Sequence, residues 1–167
     1  FNSHWTPVVR RPQEHGLAAF PWLGLCLLPL LLVAWFGGEQ SGILWTWINP
    51  DAQTIEASSV ISVKDDVLHQ KKASYLNLYF FSLRMILYFG IFCGLSHWLR
   101  KISFTQDKDG DPHWTKLGGK ISAAGIPCAA LALTFGAFDM FMSLEYQWFS
   151  TMYGVWFFAS GIRAALA

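Results

Sequence analysis

Apolar residues in this chain are gathered into blocks rather than alternating with polar ones. Leu17–Phe36 runs for twenty residues without a charge. At 1.5 Å per residue that is roughly 30 Å, the thickness of a bilayer's hydrocarbon core. Pro21 and Pro29 lie inside this block, and a membrane helix tolerates proline where neighbours satisfy the freed carbonyls. Tyr75–Leu99 is a second block, with Arg84 as its fixed charge. Ile121–Met142 is a third, uncharged until Asp139, and Gln147–Ala167 is a fourth, containing Arg163. The pattern predicts membrane helices over 17–36, 75–99, 121–142 and 147–167 in an all-α, polytopic transmembrane bundle, read as a single membrane domain.

The polar stretches predict the connections. Residues 37–74 carry Glu39, Asp51, Glu56, Lys64, Asp65, Asp66, Lys71 and Lys72 and are expected as a long outer loop. Within it, Gly42–Ile48 is too short to span, and Trp45 and Trp47 are expected among lipid headgroups. Residues 100–120, with Arg100, Lys101, Lys108, Lys116 and Lys120, are expected as a basic loop, and Ser143–Tyr146 as a tight link. Arg10, Arg11 and the five bases of 100–120 fall on one side, against Lys64, Lys71 and Lys72 on the other. Cytoplasmic loops carry the excess of Lys and Arg, so the side holding 100–120 and the N-terminal segment is predicted to be cytoplasmic.

Composition strengthens the membrane reading. The 167 residues are 53% hydrophobic and 14% charged, against about 25% charged in a soluble domain. A net charge of +1 offers no electrostatic footprint for nucleic acid. Cys26, Cys93 and Cys128 each sit inside an apolar block with no paired spacing, so they read as small hydrophobes rather than a disulfide framework or zinc site. A chain that starts at Phe1 and stops within an apolar run is expected to be an internal piece of a longer polypeptide. Gly90 and Gly94 form a G-x-x-x-G, and Ala132/Gly136 and Ser150/Gly154 repeat the small-residue spacing. Such spacings let helix backbones approach, which makes these six residues candidates for helix packing.

Candidate chemistry rests on charge at membrane depth. An ionised group in hydrocarbon is costly, so it pairs with an opposite charge or lines a polar path. Arg84 lies about 13 Å in from the outer start of its helix and Asp139 about 5 Å in from the outer end of the next. An arginine side chain covers that difference, so the two are expected to be able to pair. Glu145 is placed at the outer surface and His69 just before the second helix. One reading makes Asp139, Glu145, Arg84 and His69 an outward proton path, in which burial raises a carboxyl pKa and arginine lowers it. The other makes Arg84–Asp139 a salt bridge that fixes packing, Glu145 a solvated acid and His69 a surface histidine. No catalytic residue, metal-ligand spacing or nucleotide loop is assigned, and facing histidines for a bis-histidine haem are lacking.

Phe138–Gly154, reading FDMFMSLEYQWFSTMYG, resembles a segment of the ActF-type, NrfD-like membrane subunits of bacterial alternative complex III. His4–Pro12 (HWTPVVRRP) and His69–Asn77 (HQKKASYLN), the latter followed by Phe80, Arg84 and Tyr88, resemble two further family stretches. The resemblance implies part of a roughly ten-helix subunit of a quinol:cytochrome c oxidoreductase in the bacterial inner membrane. It implies menaquinol or ubiquinol at or near the subunit, with haem c and iron–sulfur clusters in partners rather than on this chain. Those partners are a sister NrfD-like subunit, an iron–sulfur subunit and haem c subunits. Where the family pattern has Pro-His after the glutamate, this chain has Tyr146-Gln147, so a role needing an imidazole there does not carry over. Proton transfer and support of quinol oxidation follow from the resemblance. A secondary transporter or channel subunit, and a purely structural anchor, are the rival readings.

Overall fold

The computed structural model describes Pro12, residues 14–56 and residues 59–166. The HWTPVVRR segment and the bases Arg10 and Arg11 lie outside the described residues. The described chain is mostly helical. Three helices are long and apolar enough to cross a membrane: Glu14–Phe36, Leu78–Asp109 and Pro112–Glu145.

The first of these ends in α1 (Phe20–Phe36). It stops where Gly37 donates its N–H to the Val33 carbonyl and Gly38 takes φ +55°, a conformation glycine adopts without a Cβ clash. The polar stretch that follows is structured. Short 3-10 turns lead to the antiparallel strands β1 (Gln53–Glu56) and β2 (Ser59–Ser62), with Gln53 opposite Ser62 and Glu56 opposite Ser59. Next comes α2 (Val67–Lys72), capped by Asp66, whose Oδ1 accepts from the Leu68 N–H at 2.7 Å. The side-chain oxygen satisfies a donor that the first turn leaves unpaired.

The basic stretch 100–120, expected as a loop, is instead helical. α3 (Leu78–Asp109) continues through Arg100, Lys101 and Lys108, and α4 (Pro112–Met140) begins before Lys116 and Lys120. The connection shrinks to Gly110 and Asp111. Gly110 has φ +66°, Asp111 Oδ1 accepts from the His113 N–H at 2.8 Å, and Pro112 starts the next helix. Lys, Arg and Gln are good helix formers, and only the Asp-Gly-Asp-Pro run carries a stop and a start signal. The fourth expected helix is shorter than 147–167. A 3-10 turn (Met142–Glu145) and irregular backbone precede α5 (Tyr153–Leu166). Its fourteen residues span about 21 Å, short of the hydrocarbon thickness.

The single domain expected from the sequence divides into two compact units. A 32-residue helix runs about 48 Å, too long to surround one core. One unit combines residues up to Cys26 with Phe89–Ala129. There Phe20 stacks on Phe92 at 5.2 Å and Ser96 Oγ donates to the Leu17 carbonyl at 2.7 Å. The other combines Leu27–Tyr88 with residues from Ala130 onward. Its core holds Trp45, Trp47, Val63, Phe81 and Met85.

Trp45 and Trp47 depart from their expected place among headgroups. They are buried, and their rings meet Phe81 edge-on at 5.0 and 5.4 Å. Each such aromatic pair adds about 0.5–1.5 kcal/mol beyond its buried area. The small-residue expectations divide. Ala132 is buried, and Gly154 lies so close to α4 that a Cβ would meet Thr134 Cγ2 at 2.5 Å. Gly136 faces the Tyr88 ring, and Ser150 is half-buried. Around Gly90 and Gly94 a Cβ would meet nothing within 4 Å among the described residues, so this G-x-x-x-G packs nothing there.

Candidate functional site

The helices of the second unit place two buried carboxylates, Asp139 and Asp66, both with 0% exposure. Asp139 stands one residue before the end of α4, and Arg84 lies two turns into α3. Arg84 Nε donates to Asp139 Oδ2 at 2.7 Å and Nη2 donates to Oδ1 at 2.9 Å. This is a two-pronged guanidinium–carboxylate pair, stronger and more directional than a single charged bond. Tyr88, one turn beyond Arg84, donates its hydroxyl to Oδ2 at 2.7 Å. Arg84 Nη1 donates to the Tyr75 carbonyl at 3.1 Å. The guanidinium also lies 3.9 Å from the Tyr75 ring centre and 4.4 Å from that of Phe80. A planar, weakly hydrated cation suits such aromatic neighbours. The Asp139 carbonyl accepts from Ser143 Oγ, tying the helix end to the following 3-10 turn.

Both charges are thus compensated before any ligand arrives. The expected Arg84–Asp139 pair forms, as a closed set of bonds. Glu145 is exposed at the end of the 3-10 turn. His69 is half-buried, its ring 5.8 Å from that of Tyr146 at 78°. Its Nδ1 is buried without a hydrogen-bond partner among the described residues. Neither Glu145 nor His69 reaches the Asp139 carboxylate among the described residues, so the four expected proton-path residues form one pair and two separate positions.

Asp66, one charge among several in the polar stretch 37–74, is the second buried carboxylate. Its Oδ1 caps α2, while Oδ2 accepts from the Tyr146 hydroxyl at 2.8 Å and the Gln147 amide at 3.2 Å. Burial alone would raise its pKa. The bonds from Tyr146 and Gln147 and from the Leu68 and His69 amides outweigh burial and hold it below the ordinary carboxylate value. Lys72 Nζ donates to the Tyr146 carbonyl, fastening α2 to the same segment. Among the described residues Tyr146-Gln147 therefore supplies both side-chain donors to Asp66. The sign available in the sequence was an aspartate directly before a short helical run, a cap signal. Its partners lie 80 and 81 residues away.

Among the described residues, no group of three His, Cys, Asp or Glu side chains is placed to hold a metal ion. Cys26, Cys93 and Cys128 are free thiols. Comparison with models of known protein families and with characterised proteins finds no match.

Proposed function

We propose that this chain is an integral membrane subunit of a respiratory quinol:cytochrome c oxidoreductase of the alternative complex III type, in the bacterial inner membrane. One observation carries the reading. The two stretches that resemble the family, 69–88 and 138–154, meet in the second unit through Arg84, Tyr88 and Asp139. Residues selected by resemblance are in contact, 51 and 55 positions apart.

In this reading the chain supports quinol oxidation rather than carrying electrons. Menaquinol or ubiquinol gives up two electrons and two protons at or near the subunit. Iron–sulfur clusters and haem c held by partner subunits would take up the electrons, since no such group is assigned to this chain. The Arg84–Asp139–Tyr88 set holds α3 and α4 in fixed register. Protons leave by way of the more accessible Glu145 and His69. The basic stretch 100–120 faces the cytoplasm and the stretch 37–74 faces out, as the distribution of Lys and Arg favours. In this reading the segment 147–167, which contains α5, is a fourth membrane segment.

Purifying the tagged full-length protein from its native membranes tests this directly. The preparation should show the reduced-minus-oxidised absorption bands of c-type haem and oxidise a quinol with cytochrome c as acceptor. A haem-free preparation that transports an ion or solute would favour the transporter reading and sink this one. The closed geometry around Asp139 makes that residue a packing anchor in this reading. Asp139→Asn should then lower the amount of assembled complex while leaving quinol turnover per haem unchanged.

A further inference from the structure

The first compact unit holds a groove that the proposed function does not use. Trp98, Lys101, Ile102 and Thr105 line it from α3, and Trp114, Leu117 and Ile121 line it from α4. Positions 98, 101 and 105 and positions 114, 117 and 121 each repeat at i, i+3, i+7, so each set lies on one helix face. The cavity measures about 430 Å³, within the range of small-ligand sites. Its walls are apolar except at Lys101 and Thr105.

Position and charge together indicate the occupant. Leu78–Leu99 covers roughly 33 Å of helix, about one hydrocarbon thickness. Trp98 and Lys101 therefore sit where hydrocarbon gives way to headgroups, and Trp98 is 60% exposed. Lys101 is exposed on the groove wall, and exposed Lys116 and Lys120 flank Leu117 and Ile121 on α4. Asp107, Asp109 and Asp111 gather at the far tip, around the Gly110 turn. Basic pockets between membrane helices attract anionic headgroups, and lysine stems lie along apolar surface with the ammonium in the polar layer.

We propose that this groove is a binding site for an anionic phospholipid. The phosphate pairs with Lys101, and the upper acyl chain lies against Trp98, Leu117 and Ile121. The site requires only that α3 and α4 lie in a bilayer, so it stands apart from the redox assignment.

The test uses the full-length protein, purified with its native partners and reconstituted into nanodiscs of equimolar phosphatidylglycerol and phosphatidylcholine. Lipid that remains after delipidating detergent washes is counted by native mass spectrometry. The parent should retain phosphatidylglycerol in preference to phosphatidylcholine. Lys101→Glu should lower that retention by about fivefold or more, on the scale of one basic side chain near an anionic surface. Lys71→Glu, a charge change on exposed α2, should leave it unchanged. Leu117→Trp, which fills the groove and keeps every charge, should also lower retention, and it decides the matter if Lys101→Glu fails to accumulate. Equal retention of the two lipids by the parent overturns the proposal. So does full retention in the groove variants, or an equal loss in Lys71→Glu. Absence of haem from the same preparation would count against the redox reading and leave the lipid result intact.

Discussion

Asp139 and Asp66 are the same residue type, equally hidden from solvent, and they are accommodated differently. Asp139, at the end of the long apolar helix α4, meets a guanidinium through two prongs and a phenol. Asp66, in the polar stretch before α3, is held by a phenol, a side-chain amide and backbone N–H groups. The difference follows local dielectric. Burying an ion deep in apolar surroundings leaves a solvation debt that neutral donors do not cover, so a countercharge is needed. Nearer the surface, several good hydrogen bonds are enough to keep a carboxylate ionised. The two sites also join different elements. Asp139 ties α3 to α4, and Asp66 ties the start of α2 to the segment after α4.

Breaking the charged site should have the largest effect. Arg84→Ala leaves Asp139 buried without its cation, a change worth about 3–5 kcal/mol. Little assembled protein should accumulate, and its thermal unfolding in detergent, followed by tryptophan fluorescence, should fall sharply. Replacing both partners with apolar residues of similar volume, Arg84→Met with Asp139→Leu, should recover much of that loss. If the double variant is as unstable as Arg84→Ala, the pair does more than compensate charge. Arg84→Lys should fall between, because an ammonium keeps the charge and loses the two-pronged geometry.

The neutral site should respond less. Tyr146→Phe removes one of the donors to Asp66 Oδ2 and should cost about 1–3 kcal/mol, the range for a buried acceptor that loses a partner. Gln147→Leu removes the longer bond, at 3.2 Å, and should cost less than Tyr146→Phe. Both are read as shifts in thermal midpoint of the intact protein. A larger loss for Tyr146→Phe than for Arg84→Ala would invert the comparison.

How far these two sites could be read in advance differs for the same physical reason. The Arg84–Asp139 pair was legible because charge is rare in an apolar block and helical rise fixes depth, so two such residues at similar depth are natural partners. Asp66 was one of eight charges in a polar stretch, where nothing marks which one folds inward. Only its place before Val67 hinted at a cap, and the Tyr146 hydroxyl comes from 80 residues away. The three helices long and apolar enough to cross a membrane were legible from block length. The helical nature of 100–120 was not, because charged residues suit a solvated helix as well as a loop and only Asp-Gly-Asp-Pro carries the turn chemistry. Trp45 and Trp47 misled for another reason. Indole suits both a headgroup layer and a protein core, and composition does not distinguish them.

The smallest expected effect, and the sharpest test of the neutral site, is one of pH. Asp66 titrates below the ordinary carboxylate value in the folded chain and near about 3.9 when unfolded. A depressed folded value means that the unfolded state binds the proton more readily. The stabilisation from ionised Asp66 is therefore complete above about pH 4 and is lost as pH falls through the folded value. Other acids also titrate in this range, so the informative quantity is the difference between parent and Asp66→Asn. That difference should be constant from neutral pH down to about pH 5 and then narrow on further acidification. Asn is a weaker acceptor for Tyr146 and Gln147, but its charge does not change with pH, which isolates the titration of Asp66. A gap that stays constant through pH 3, measured as thermal midpoint in detergent, would mean that the hydrogen bonds do not distinguish the carboxylate from its acid form, and the neutral donors would then not be what keeps Asp66 ionised.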